Sequence, residues 1–560
     1  MTGAVNRLLR AMYTPQYRRF LAVSDVREVQ RRYLGELLQR NADTRYGRRY
    51  GFADLCSYKQ FAERVPLTKY EDYAPYIERI ANGAQRVLTA EPVLLFEPTS
   101  GSSGARKLIP YTASLRAEFQ AGIRPWLCDL YTNVKGLCDG KSYWSITPLT
   151  GGKEYTPCGI PIGFEEDAAY FGKAEQAMMR HIFAVDGSVK LSGSTEQFWH
   201  DTAVQLLKSS AVSLISVWNP TFLTLLCGYL REEAHALARE LPAQRERLYL
   251  AKNGRFDRVF PSLRLISLWA DGSAASEIPA VRALFPGVQL QPKGLLATEC
   301  FASFPLIGEN GSILSIFSHF FEFRSLQTGR IVTAERLQKG EYELIVTTGG
   351  GFYRYCIGDV VEVVEAPGNR DFSSTRSVNA CSALSHEPNP GVRLPAGDSP
   401  RGGEMSDRTE GTGCSAPRIR FLRRTGITSD LCGEKLTEDF VRSCCEKLGI
   451  ARNFCLLAPD GRGYTLYTSA RISPEAVEQA LCEGYHYNYC RRLGQLRPVQ
   501  VVQVGDDAEK AYLRRLTSEG MRLGDIKPAY LSGKSGWGAW LTQHSTTSQS
   551  MSECARNPRR

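Results

Sequence analysis

Over residues 5 to about 41 the apolar positions Leu8, Leu9, Met12, Val29, Tyr33, Leu34, Leu37 and Leu38 recur at helical spacing. They predict a helical cap over about residues 1–42. Further on the period changes. Between about 93 and 365, apolar runs at Val93 to Phe96, Ser142 to Ile146, Leu214 to Val217, Leu263 to Trp269 and Glu341 to Thr347 read as strands. Amphipathic stretches such as Glu196 to Lys208 and Phe222 to Leu241 lie between them and read as helices. Strands alternating with helices predict a layered α/β fold, with residues 1–365 as its large N-terminal domain.

Residues 366–418 lose all apolar periodicity and fill with Pro, Gly, Ser, Asn and Arg, which predicts a disordered insertion serving as linker. Loop closure costs only about 0.6 kcal/mol more per doubling of length, so such an insert is tolerable. Removing residues 370 to 415 is accordingly expected to leave folding intact. Order resumes at Ile419-Arg420-Phe421-Leu422, and residues 419–531 predict a smaller α/β C-terminal domain. The remainder, 532–560, is rich in Gly, Ser, Thr and Gln and reads as a disordered tail.

Composition narrows the class. A hydrophobic share of 43% with 23% charged residues is that of an ordinary globular protein with a large core. No run of about 18 apolar residues and no secretory h-region occur, so no membrane partner and a cytoplasmic location are expected. The 16 cysteines are scattered without C-x-x-C pairs or zinc-ligand spacing, as suits reduced thiols. The net charge of +10 is spread along the chain, and no nucleic-acid module concentrates it.

Three segments carry candidate chemistry. Thr99-Ser100-Gly101-Ser102-Ser103-Gly104-Ala105-Arg106-Lys107 follows the first apolar run. Its glycines let backbone approach an anion, and its hydroxyls, N–H groups and cations suit phosphate. The glycine spacing is not that of a Walker A loop, and the same residues also fit a plain surface turn. Ala297-Thr298-Glu299 sets a hydroxyl beside a carboxylate that could hold Mg²⁺ at a polyphosphate; a helix N-cap is the alternative. Tyr353-Arg354-Tyr355-Cys356-Ile357-Gly358-Asp359-Val360-Val361 follows a strand and a Gly triplet. Asp359 there could accept from ribose hydroxyls, or Gly358-Asp359 could be a hairpin turn with Arg354 in a surface ion pair.

In this order the three segments resemble the Gretchen Hagen (auxin-responsive) acyl acid amido synthetases, a branch of the acyl-adenylate-forming superfamily. The resemblance extends to Asn41-Ala42-Asp43-Thr44-Arg45-Tyr46-Gly47, to Val65 through Tyr76, and to Ser216-Val217-Trp218-Asn219-Pro220. It continues through His319-Phe320-Phe321-Glu322-Phe323, Gly433-Glu434-Lys435-Leu436-Thr437-Glu438 and Gly524-Asp525-Ile526-Lys527-Pro528. Together these span roughly residues 35–365 and 419–531.

The resemblance implies a large adenylation domain, a small mobile C-terminal domain, and ATP with Mg²⁺ as cofactors. A carboxylic acid would attack the α-phosphate to give an acyl-adenylate, and an amine, commonly an amino acid, would displace AMP. It implies ATP contacts from Thr99, Ser100, Gly101, Ser102, Ser103, Lys107, Thr298, Glu299, Arg354 and Asp359, with Glu299 as the metal ligand. Lys527, Thr298 and Lys435 are its implied catalytic residues, although a lone lysine such as Lys527 also fits a solvated surface group. Such chemistry relies on positioning and charge neutralisation, so no Ser–His–Asp constellation is needed. Trp218 and Phe222 are candidates for the acid pocket, or else plain core. Leu295 and Leu296 depart from the family, where an aromatic commonly stacks on adenine, and the insertion after Glu365 departs too. A monomer acting on small molecules is expected, with an acyl-CoA ligase or a non-catalytic binder as the other readings.

Overall fold

The computed structural model describes residues 2–100, 106–145, 154–163, 173–192, 194–209, 211–218, 220–368, 414–424, 428, 429, 431, 434, 436–492 and 496–545. The helical cap is two helices, Thr2–Leu21 and Val26–Arg40. The chain breaks between them because the Asp25 side chain accepts from the Glu28 N–H and starts a new helix. Buried Gln30 ties this cap to a sheet strand: its amide donates to the carbonyls of Ile316 and His319, and its oxygen accepts from Phe321. No helix among the described residues is long and apolar enough to cross a membrane.

The α/β layering is present. Strands Lys141–Trp144, Val212–Ser216, Leu265–Leu268 and Gln289–Pro292 form a parallel sheet in that spatial order. The two central strands are buried along their whole length, which is why they read as continuous apolar runs. Helix Thr195–Lys208 matches the expected stretch, whereas Phe222 to Leu241 divides into Pro220–Glu232 and Ala234–Glu240. A second four-stranded sheet holds the hairpin of Leu95–Ser100 and Arg106–Tyr111.

The largest sheet is antiparallel and has seven strands, in the order Ser303–Pro305, Ser312–Leu314, Arg418–Arg424, Tyr355–Glu365, Gly340–Thr347, Phe320–Ser325 and Ile331–Thr333. It moves one expected boundary. Arg418–Arg424, read from sequence as the start of the C-terminal domain, fills the gap between Tyr355–Glu365 and Ser312–Leu314. Glu365 lies opposite Arg418 in register, and the Arg418 guanidinium reaches the Glu365 carboxylate at 3.2 Å. The segment 366–417 therefore leaves and re-enters the sheet at one point, as a hairpin connection instead of an interdomain link. Its last residues are packed: Cys414 and Ala416 are buried, and the Ser415 N–H donates to the Val23 carbonyl. Residues 369–413 lie outside the described residues.

After residue 424 a three-stranded sheet, Cys455–Asp460, Gly463–Thr468 and Gln500–Gln503, packs with helices Glu438–Lys447, Pro474–Leu481 and Ala508–Ser518. The expected disordered tail is corrected over its first part, because Trp537–His544 is a helix. Trp537 is 1% exposed, its ring stacks on Tyr512 at 5.2 Å, and the Arg515 guanidinium lies 4.1 Å above it. Averaged composition hid the stripe of Trp537, Trp540 and Leu541; residues 546–560 lie outside the described residues.

Two outcomes follow from this packing. Trp537→Ala should destabilise the C-terminal unit by about 3–5 kcal/mol, read as a lower denaturant midpoint. A deletion confined to residues 370–412 should leave the melting temperature within about 2 °C, whereas one extended through Ala416 should lower it by several degrees by removing the buried side chains of Cys414 and Ala416 and the Ser415 hydrogen bond to Val23.

Candidate active site

Thr298 and Glu299 form the turn of a hairpin in which Leu296–Ala297 pairs with Cys300–Phe301. The hairpin is clamped at its base, where the Leu295 N–H donates to Ser303 Oγ at 2.9 Å and the Ala302 N–H to the Leu295 carbonyl at 3.0 Å. The alternative of a helix N-cap is thereby removed. Leu295 is core; Leu296 is half-buried against it.

Asp359 lies inside the strand Tyr355–Glu365, not in a turn. Gly358 takes φ +80°, which L side chains rarely adopt, and here the register against Gly340–Thr347 skips, giving a bulge. Burial drives the pKa of the Cys300 thiol up strongly, and the charges of Glu299 and of the buried Asp359 both add to it, so both acids act on one buried thiol. The Tyr355 hydroxyl donates to Glu299 Oε1 at 3.3 Å.

The serine-rich segment meets the same place. Thr99 pairs with Lys107 and Ser100 with Arg106, so it is the tip of a hairpin; Gly101, Ser102 and Ser103 fall outside the described residues. The Lys107 ammonium lies 5.3 Å from the centroid of Tyr70, whose hydroxyl accepts from the Leu108 N–H at 2.7 Å. Burial raises the Tyr70 pKa, and the Glu299 charge adds to it. Lys107, Tyr70, Glu299, Tyr355 and Asp359 thus form one cluster. Tyr70 and Tyr355 stood inside the recognised motifs, but no local signal distinguished them from core tyrosines.

The Val65 to Tyr76 motif fixes the start of the Asp359 strand. Thr68 exchanges hydrogen bonds with the Arg354 carbonyl and the Cys356 N–H, and the Tyr73 hydroxyl accepts from the Tyr353 N–H at 2.7 Å and donates to its carbonyl at 2.8 Å. Gly349, upstream, has no room for a side chain: a Cβ there would meet Glu118 Oε1 at 2.3 Å, and its N–H donates to that carboxylate at 2.9 Å and 3.0 Å.

Comparison with known proteins gives the family of the chain. The profile of the GH3 family N-terminal domain matches residues 19–245, and that of the GH3 family central domain matches residues 312–370, together just over half of the chain. The chain belongs to the GH3 family. Among GH3 relatives, the putative indole-3-acetic acid-amido synthetase GH3.10 of Oryza sativa subsp. japonica is 24% identical over 473 residues, 80% of this chain and 87% of that one. The indole-3-acetic acid-amido synthetase GH3.2 of Arabidopsis thaliana is 25% identical over 395 residues, 60% and 71%. The solved AtGH3.15 acyl acid amido synthetase in complex with 2,4-DB superposes with a TM-score of 0.72 at 18% identity, covering 96% of each chain, and shares the fold.

Against this GH3 frame, the other expected site residues separate. The Lys527 ammonium lies over Trp269 at 4.8 Å and Phe421 at 5.6 Å from the ring centroids, where the parallel sheet and the seven-stranded sheet meet. Burial lifts the neighbouring Asp271 to about 6, while Arg420 and Lys527 restrain it. Lys435 falls outside the described residues. Phe222 is buried in the core, with Trp199 at 4.9 Å and Phe198 at 6.3 Å between centroids. One assignment is corrected. Arg354 is buried: Nε donates to both Glu322 oxygens at 3.1 Å, Nη2 to Oε1 at 2.9 Å, and Nη1 to the carbonyls of Ala62 and Val65 at 2.8 Å. Its guanidinium is thus turned inward, away from a nucleotide role. Trp218 remains partly open, 39% exposed.

Arg354→Met, which strands a buried Glu322, should lower stability by about 3–5 kcal/mol. In the folded fraction the ATP KM should stay within about threefold, which separates a structural arginine from an ATP ligand.

Proposed function

We propose that this chain activates a carboxylic acid with ATP and transfers the acyl group to an amine, an amino acid by analogy with the relatives' names. The observation that carries this reading is the convergence of Lys107, Glu299, Tyr355 and Asp359 from three separate stretches on one cluster.

The substrate carboxylate attacks the α-phosphorus, pyrophosphate leaves, and an acyl-adenylate results. The amine nitrogen then attacks the acyl carbon, AMP leaves with the bonding electron pair, and the nitrogen gives up a proton to yield the amide. Lys107 and the hydroxyl-rich hairpin tip offset phosphate charge, and the Thr298 hydroxyl donates to the α-phosphate. Asp359 accepts from the ribose hydroxyls. Lys527 supplies positive charge as the carboxylate and phosphate approach, which requires its domain to bring it from Trp269 to the reacting atoms.

Glu299 is the residue that would hold Mg²⁺. It is a hard oxygen donor oriented by Tyr355, and Mg²⁺ commonly takes one or two protein carboxylates with phosphate and water completing its shell. When bound, the ion neutralises polyphosphate charge. Among the described residues no group of three or more His, Cys, Asp or Glu forms an all-protein cage, and such a site does not need one.

The test is acid-dependent exchange of labelled pyrophosphate into ATP, followed by mass identification of products with amino acid mixtures or CoA. Amide products support the reading, thioesters replace it with a CoA ligase, and absence of exchange across a broad acid panel overturns it. Within that assay Lys527→Ala should cut the exchange rate by about 10²–10³ with little change in ATP KM. Asp359→Ala should raise ATP KM about tenfold or more.

A further inference from the structure

At the carboxyl end of the parallel sheet a polar row runs across three neighbouring strands. Ser216, Ser267 and Gln291 lie in register on neighbouring strands, and all three are buried. Lys293 follows two residues after Gln291. Its ammonium donates to Ser216 Oγ at 2.7 Å and stands between two indoles, 5.1 Å from the Trp126 centroid and 5.0 Å from that of Trp218.

The donors here outnumber the acceptors. Gln291 Oε1 is occupied by the Trp126 Nε1–H at 3.1 Å, but Gln291 Nε2 and Ser267 Oγ are buried with no hydrogen-bond partner among the described residues. Ser216 Oγ, already accepting from Lys293, has its own proton left to give. Burial presses the Lys293 pKa down to about 7, the cost of an ammonium held without a carboxylate. Unmatched buried donors call for an acceptor, and an oxyanion meets all of them. The carboxyl ends of parallel strands are where α/β sheets take ligands.

We propose that Lys293, with Ser216, Ser267 and Gln291, receives a second oxyanion on the acid substrate, remote from the carboxylate that is activated. The class implied is a dicarboxylic acid. Remoteness follows from the hairpin: Lys293 stands at its base, while Thr298 and Glu299 are at its tip, beyond the extended stretch Leu296–Ala297. An acid spanning the two ends would react at the tip and be recognised at the base. This inference rests on the acid-activating reading and names the substrate class for it.

The test compares matched acids, adipate against hexanoate and terephthalate against 4-methylbenzoate, in pyrophosphate exchange and, without ATP, in thermal-shift binding. The wild type should favour the diacid of a pair by tenfold or more in kcat/KM. Lys293→Met should abolish or reverse that preference while leaving ATP KM unchanged. Gln291→Glu, which keeps the acceptor for Trp126 and adds a built-in carboxylate beside Lys293, should do the same. An unchanged acid preference in both variants, or a loss confined to the amino acid KM, overturns the proposal. If no acid supports exchange, the function proposed above fails. The subsite is then judged on binding alone, where diacids should raise the wild-type melting temperature but not that of Lys293→Met.

Discussion

A buried ion pair holds the turn from which the Asp359 strand departs. Arg354 takes φ +51°, a left-handed backbone that costs a non-glycine residue about 1–2 kcal/mol. It persists because the guanidinium is anchored on Glu322 and on two carbonyls of the Ala62 to Val65 segment, while Tyr58 also donates to Glu322 at 2.9 Å. One arginine thereby joins the end of a short helix, a strand of the seven-stranded sheet and the turn that aims Tyr355 and Asp359. Replacing the pair with apolar groups need not weaken packing, but removing one partner strands a charge, so the two residues act as a unit.

From that anchor the candidate site is assembled at turns and irregularities of otherwise regular sheets. The Thr298-Glu299 turn and the bulge at Gly358 each put a polar group where a ladder has ended or skipped. Both are held by the strands on either side, so their polar groups are fixed in position without ordering a long loop at the moment of binding. The C-terminal unit reaches this body through polar and cation–π contacts: the Arg522 guanidinium pairs with Glu97 on the hairpin strand, and Lys527 rests on Trp269 and Phe421. Interfaces of that kind are compatible with domain movement.

Much of the site was legible because its parts are local. Glycines with hydroxyls after a strand, a Thr-Glu pair and a Gly-Asp step are short signals, and their order along the chain added specificity that none had alone. Arg354 and Phe222 were hard to place for a common reason: whether a side chain faces a ligand or the core depends on partners far away in sequence. Arg354 meets Glu322 and Ala62, and Phe222 meets Trp199. The tail failed differently, since three apolar residues within a polar stretch escape composition yet suffice to seat a helix on Tyr512.

What the sequence determined by itself was the set of periodic elements, the α/β class, the insertion and the motifs of the GH3 family, all of which depend on neighbours within a few residues. Tertiary structure alone decided that Arg418–Arg424 completes the large sheet, that the chain returns to it opposite Glu365, and that the charges of Glu299 and Asp359 both act on Cys300. It alone decided, too, that Lys293 sits caged between two indoles. Strand pairing and burial join residues tens to hundreds of positions apart, and no local pattern encodes which distant partner a backbone edge or a charged group will find.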